Sequence, residues 1–423
     1  MKHTVEEVVL SNGARGLLVD VPGASVMSTK VQFRAGMLFA RNKYVYEIPH
    51  VVEHLAFGAN AQFKDEQAFE AEFTKNGAYH NAWTSDISVC YETECADFEW
   101  ERIMELQRVS ICQPRFNEEE LKSEKANVRS ELTGYMNDYY RLVWPRVQQA
   151  VGEEVLTLSE RLETIRNISL RDIREHYRRT HTVKNMLFII AGGLRGRKRK
   201  IIEMLEGWNL REGERFEMPE VNFHTSPAVS IRRKDASNIT FGFSFVVPRH
   251  LESVEVLAMN CLNHILTGTM SSRIFGTARK LGLVYGMGSS VSMGANHTYW
   301  DFDGEVNVEN AEELFDLIRN EIGRVVNGEL AEEDFAAARS YALGRYQMGA
   351  QTPTQIADFY AEGYFTSEKV VKYDSVPKLL DGISRQKIIE LAREFTESGV
   401  KGFAAVSSAE KAMITGLDGK LSW

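Results

Sequence analysis

The strongest constraint on how this 423-residue chain can fold is that its second half repeats the architecture of its first. Asn117-Glu118-Glu119-Glu120-Leu121 opens a helical stretch, and Ala331-Glu332-Glu333-Asp334-Phe335 opens another 214 positions later. Asp172-Ile173, following Ser169-Leu170, is matched 215 positions on by Lys387-Ile388, following Ile383-Ser384. The apolar run 186–191 is matched by 402–406, with Phe188 and Phe403 again 215 apart. Three blocks at offsets of 214 or 215 imply a duplicated unit whose architecture has outlasted its sequence. A length prior of about 150 residues per domain suggests two or three domains, and the repeat selects two. The join falls where Gly207, Gly213, Pro219 and Pro227 punctuate a polar, unperiodic stretch. The expected division is therefore 1–210, a linker at 211–227, and 228–423.

Each half carries both strand and helix signals. Ile239, Phe241, Phe243, Phe245 and Val247 alternate strictly, the period of a half-buried strand, and Val31, Phe33 and Ala35 do so more briefly. Asn12-Gly13, between Val8-Val9-Leu10 and Leu17-Leu18-Val19, predicts a hairpin turn. Leu314, Ile318, Ile322 and Val325 share one helical face, with Gly328 as a stop. Hairpins followed by long helices indicate an α+β fold, with two similar domains built on mostly antiparallel sheets.

Hydrophobic residues make up 43% of the chain and charged residues 26%, which excludes a mainly disordered chain. The formal net charge of −9 has the wrong sign for a nucleic-acid coat protein, so no nucleic-acid partner is expected. No apolar run approaches the roughly 18 residues that span a bilayer, and no membrane association is expected. The acidic start Met1-Lys2-His3-Thr4-Val5-Glu6-Glu7 leads into no apolar signal region. Cys90, Cys95, Cys112 and Cys261 form no C-x-x-C pair and read as buried thiols of a reducing compartment, so a cytoplasmic protein is expected.

The chemistry is concentrated in Pro49-His50-Val51-Val52-Glu53-His54. Pro49 suits the first turn of a helix. Two histidines four apart on that helix project from one face, as two imidazoles must to share a tetrahedral metal. Glu53 lies beside that face, better placed as a base for a metal-bound water than as a ligand. H-x-x-E-H is the inverted zinc-peptidase motif.

The spacing beyond the motif resembles that of the pitrilysin, or insulinase, family of zinc metallopeptidases. In that family a ligating Glu follows the final His after 76 intervening residues, which is Glu131 here, and a supporting Glu stands seven residues earlier, which is Glu124. Asn81-Ala82-Trp83-Thr84 resembles the family's N-A-x-T segment on an edge strand that binds substrate. Pro114-Arg115-Phe116 followed by 118–121 also matches. In the second half Met270-Ser271-Ser272-Arg273-Ile274-Phe275 and Gly282-Leu283-Val284-Tyr285 are similar to the family's M-S-S-R-L-F and G-L-A-Y. The departures are Ile48-Pro49, where a Gly-containing lead-in is usual, and Gly36-Met37, where Gly-Ser is common; neither removes a chemical group. The half-sized members related to mitochondrial processing peptidase are the nearest in design.

The resemblance implies a Zn²⁺ ion held by His50, His54 and Glu131, Glu53 as proton shuttle, and Tyr285 with Arg279 steadying the oxyanion. It implies a second domain that is inactive and supplies those last two groups. It also implies unfolded peptide substrates bound as an added strand, in a chamber of four domains. Two domains per chain then require a homodimer, or a heterodimer with a related subunit. The alternative within the family is a non-catalytic core subunit. The basic run Arg195-Gly196-Arg197-Lys198-Arg199-Lys200 is read as a solvated loop entering a helix, His80 and His264 as structural residues, and Cys90 and Cys95 as outside the metal site.

Overall fold

Turn chemistry dictates how the chain begins. Strands β1 (Thr4–Val9) and β2 (Arg15–Asp20) pair antiparallel around Asn12-Gly13. Gly13 sits at φ +90°, a backbone state that side-chain-bearing residues adopt only with strain. The computed structural model describes all 423 residues, Met1–Trp423.

After β3 (Val26–Phe33) come α1 (Ile48–Ala56), α2 (Glu66–Thr74), β4 (Tyr79–Thr84) and β5 (Val89–Ala96). Then follow α3 (Trp100–Cys112), α4 (Glu118–Tyr135), α5 (Tyr139–Ala150), α6 (Leu158–Thr164), α7 (Leu170–Thr180), β6 (Met186–Gly192) and α8 (Lys198–Glu206). The second half opens with β7 (Val229–Arg232), β8 (Asn238–Val247), α9 (Ser253–Leu266), α10 (Phe275–Lys280), β9 (Val284–Met293) and β10 (Thr298–Asn307). It closes with α11 (Ala311–Val326), α12 (Glu332–Gly349), α13 (Pro353–Ser367), α14 (Val376–Asp381), α15 (Arg385–Arg393), β11 (Val400–Ser407) and α16 (Lys411–Lys420). No helix is long and apolar enough to cross a membrane.

The duplication is visible in the sheets. One sheet has the order β1-β2-β6-β3-β5-β4 and the other β7-β11-β8-β10-β9. With β1 set aside, the two orders coincide strand for strand. In each, a single parallel pair, β2 with β6 or β7 with β11, interrupts an otherwise antiparallel sheet. The expected α+β fold with two similar units is what the chain adopts. The helices expected at Glu118 and Glu332 are α4 and α12, and Leu314, Ile318, Ile322 and Val325 are the buried face of α11.

The packing groups the residues into two units that are each discontinuous in sequence. Unit 1 comprises Met1–Gly134, Ser159–Met218 and Met348–Lys372; unit 2 comprises Tyr135–Leu158, Pro219–Gln347 and Tyr373–Trp423. The first sheet is thus covered by α13, from the second half of the chain, against β3 and β6. The second sheet is covered by α5, from the first half, against β8 and β11. A boundary at 211–227 leaves α5 and α13 with the halves in which they lie, whereas packing groups each with the other sheet.

The contact of α5 with its sheet is close. A Cβ on Gly402 would stand 2.6 Å from the Val147 carbonyl oxygen, and one on Gly242 would stand 2.8 Å from Val143 Cγ1. That explains a difference in β8. Its alternation predicts one buried face, and Phe243 and Phe245 do pack with Trp300, Phe302 and Phe403, while Phe241 packs on Phe315. Yet Thr240, Gly242, Ser244 and Val246 are buried too, because α5 lies across them.

Candidate metal centre

Helix α1 begins as its sequence dictates, with Pro49 in the first turn, where a missing N–H costs nothing. It packs against α7 and against β4, and its apolar residues Ile48, Val51, Val52 and Leu55 are buried. His50 and His54, one turn apart, leave it on the same side and meet α4, from which Glu124 and Glu131 project two turns apart.

His50, His54 and Glu131 each bring one donor atom to a common point. His50 Nε2 lies 3.3 Å from His54 Nε2 and 3.4 Å from Glu131 Oε2, and His54 Nε2 lies 3.6 Å from the same oxygen. A tetrahedral ion with bonds of about 2.0–2.1 Å separates its ligands by about 3.3–3.4 Å, so the triangle has the right size. The far nitrogens are engaged elsewhere. His50 Nδ1 meets Glu47 Oε1 at 2.8 Å and His54 Nδ1 meets Glu124 Oε2 at 3.0 Å. Both carboxylates are ionised. Burial works against the charge of Glu47, but bonds from Arg161 and His50 hold its pKa at about 2. The bond to His54 depresses Glu124.

Acceptor-only carboxylates at both Nδ1 atoms leave the two Nε2 lone pairs facing each other and the Glu131 oxygen. Electrostatics permits such a convergence only around a cation or around protons. In the metal-free protein, protons take that role. Burial opposes them, yet Glu131 and Glu47 push His50 up to about 9, and Glu124 and Glu131 push His54 up to about 10. The donor set therefore fits a tetrahedral divalent ion bound by two imidazoles and a carboxylate.

Glu53 is 8% exposed, and burial raises its pKa against the opposing pull of His50. Its Oε2 accepts a 2.7 Å bond from Thr84 Oγ1 on β4, an edge strand of the first sheet. Thr84, expected to contact substrate, thus holds Glu53. Ala82 is buried, while Asn81 is exposed and Trp83 is 39% exposed on the opposite side of β4. His80 stacks on Phe73 and bonds Glu70, as a structural histidine does. His264 likewise stacks on Tyr341. In the basic run, Arg197, Lys198 and Arg199 pair with Asp97, Glu6 and Glu203. Cys90, Cys95, Cys112 and Cys261 are all free thiols.

Tyr285 and Arg279 belong to unit 2. Tyr285 is the second residue of β9 and is 85% exposed, and the Arg279 guanidinium lies 4.5 Å from its ring centroid. The sequence reading gave no part to Glu47 or Arg161. Glu47 precedes His50 by three residues, a spacing that on a helix brings two side chains together. Arg161 lies 114 positions from Glu47, and no local signal announces it.

Comparison with known proteins agrees with this geometry. Residues 17–156 match the family model described as insulinase (peptidase family M16), and residues 167–341 match that of the peptidase M16 inactive domain. A Bacillus subtilis (strain 168) chain named as the uncharacterized zinc protease YmxG is 21% identical over 401 residues, covering 93% of this chain and 96% of that one. A protease from Helicobacter pylori superposes with a TM-score of 0.84 at 16% identity, over 96% of this chain and 100% of that one. A structure described as a peptidase M16 inactive domain from Pseudomonas fluorescens gives 0.82 at 12% identity, over 96% and 99%. Two adjoining family models, whole-length relatives and the converging donors lead to one conclusion: this chain belongs to the insulinase family, peptidase family M16.

Proposed function

We propose that the chain is a zinc-dependent endopeptidase that hydrolyses unfolded peptides. The observation that carries this reading is the convergence of three lone-pair donors, His50, His54 and Glu131, beside the buried carboxyl of Glu53. Zinc bound there would supply a Lewis acid for the scissile carbonyl and a water of lowered pKa. Glu53 takes a proton from the attacking water and returns it to the leaving amine. Its Oε2 is held by Thr84, so Oε1 is the oxygen that carries the proton. Burial raises its proton affinity, which suits a carboxylate that must accept a proton. Tyr285, with Arg279 beside it, donates to the developing oxyanion. The edge strand β4 offers unpaired backbone to an extended peptide, a mode that reads main chain first and so selects unfolded segments.

A non-catalytic subunit of the same family is the competing reading. It loses ground because His50, Glu53, His54 and Glu131 are all present and brought together. Cleavage of a quenched-fluorescent peptide library separates the two. The endopeptidase reading expects turnover that a chelator abolishes and about one equivalent of zinc per chain restores. Stoichiometric zinc without cleavage of any member would leave the subunit reading.

A further inference from the structure

Glu47 occupies the N-cap of α1, where an acidic side chain ordinarily accepts from the free N–H groups of the first turn. It makes no such bond. Its carboxylate is fully buried and turned towards two other groups. Arg161 on α6 grips it with a guanidinium fork, Nε to Oε2 at 2.8 Å and Nη2 to Oε1 at 2.6 Å. The same Oε1 accepts from His50 Nδ1 at 2.8 Å. A buried carboxylate is costly unless paired, and this one is paired on both oxygens.

A carboxylate held in a guanidinium fork is an acceptor only, so the proton of a neutral His50 must reside on Nδ1. That leaves the lone pair on Nε2, the atom directed at His54 Nε2 and Glu131 Oε2. The two contacts from Glu47 also fix the ring: the carboxylate cannot rotate without breaking the Arg161 fork, and the imidazole cannot rotate without losing the carboxylate. We infer that Arg161 and Glu47 are positioning residues of the metal centre, Arg161 holding Glu47 and Glu47 turning His50 so that Nε2 is its ligating atom. His54 is held differently. Its partner Glu124 is steadied by the Asn127 amide at 3.1 and 3.2 Å, with no guanidinium, and the His54 side chain is 23% exposed against 10% for His50. The His50 arm is therefore the rigid side of the site.

The inference rests on the metal reading, and the test separates the two. Zinc affinity of the full chain is measured by competition with a chromophoric chelator for the wild type, Glu47→Gln, Arg161→Met and the double variant. Metal-free circular dichroism melts report folding independently. Each single substitution should weaken zinc about 10- to 100-fold. The double variant should be no weaker than Glu47→Gln alone, because Arg161 acts through Glu47. It also removes both charges together and so strands neither, which keeps a folded protein available for the measurement. Equal affinity in wild type and a folded double variant would overturn the inference and leave the metal site standing. Losses that multiply in the double variant would overturn the relay through Glu47. Absence of zinc binding by the wild type would sink the metal reading, and this inference with it.

Discussion

Glu131 is the most exposed of the three donors, with its side chain 32% accessible, and the only one that brings negative charge. Replacing it by Gln keeps the shape and removes the charge, so Glu131→Gln should weaken zinc far more than Glu124→Gln, whose carboxylate only orients His54. Chelator competition on both variants checks the ranking; equal losses would make Glu124 a ligand. Protonation of the same cluster sets a pH dependence. With burial opposing but Glu131, Glu47 and Glu124 prevailing, His50 at about 9 and His54 at about 10 both carry protons at pH 7 in the metal-free protein. Zinc must displace those protons, so its apparent affinity should rise with pH and its uptake should release acid. Titration in weakly buffered solution at pH 7 reads that release, and no proton release would contradict it. The legibility of these residues follows from their range. His50, Glu53 and His54 lie on two turns of one helix, where spacing alone decides direction. Glu131 and Glu124 emerged through a long family spacing. Glu47 stands three residues from His50, but an acid before a helix reads first as a cap. Arg161 was invisible, since only tertiary structure brings α6 to the start of α1.

Among the elements, α5 and α13 depart most from what the sequence suggests. The periodicity of Val143, Val147 and Ala150 says that one face of α5 is buried. Periodicity names no partner, however, and the partner is the sheet of β8 and β11. The glycines that permit this were equally mute, because a glycine in a strand announces a close approach without saying of what. A Cβ on Gly402 would meet the Val147 carbonyl oxygen at 2.6 Å and Val151 Cγ1 at 2.7 Å. Neither neighbour is the end of a flexible side chain. Gly402→Ala should therefore destabilise unit 2 by about 1–3 kcal/mol, the range of an overpacked core. The check is the urea midpoint, which should fall at unchanged m; an unshifted midpoint would mean that α5 lies further from β11. Local elements were legible where local chemistry decides them, as in the Asn12-Gly13 hairpin and the start of α4 at Glu118.

At the scale of the molecule, the duplication seen as a 215-residue offset returns as two sheets of matching strand order. The family's four-domain chamber, set against two units here, leads to the proposal that chains pair and that Tyr285 of one completes the metal centre of the other. Glu53→Gln and Tyr285→Phe would each be severely impaired alone. After subunit exchange, about half the dimers are mixed and one of their two sites is wild type, restoring about a quarter of the sites. No recovery despite demonstrated exchange would place Tyr285 in the same chain's site. The central claim is that one centre separates metal binding from proton transfer, and a single variant tests it. In Glu53→Gln, zinc content and peptide turnover are measured on the same sample. The expected result is about one zinc per chain and a rate lower by about two or more orders of magnitude, because only the proton carrier is gone. Turnover near wild type with zinc bound would contradict it.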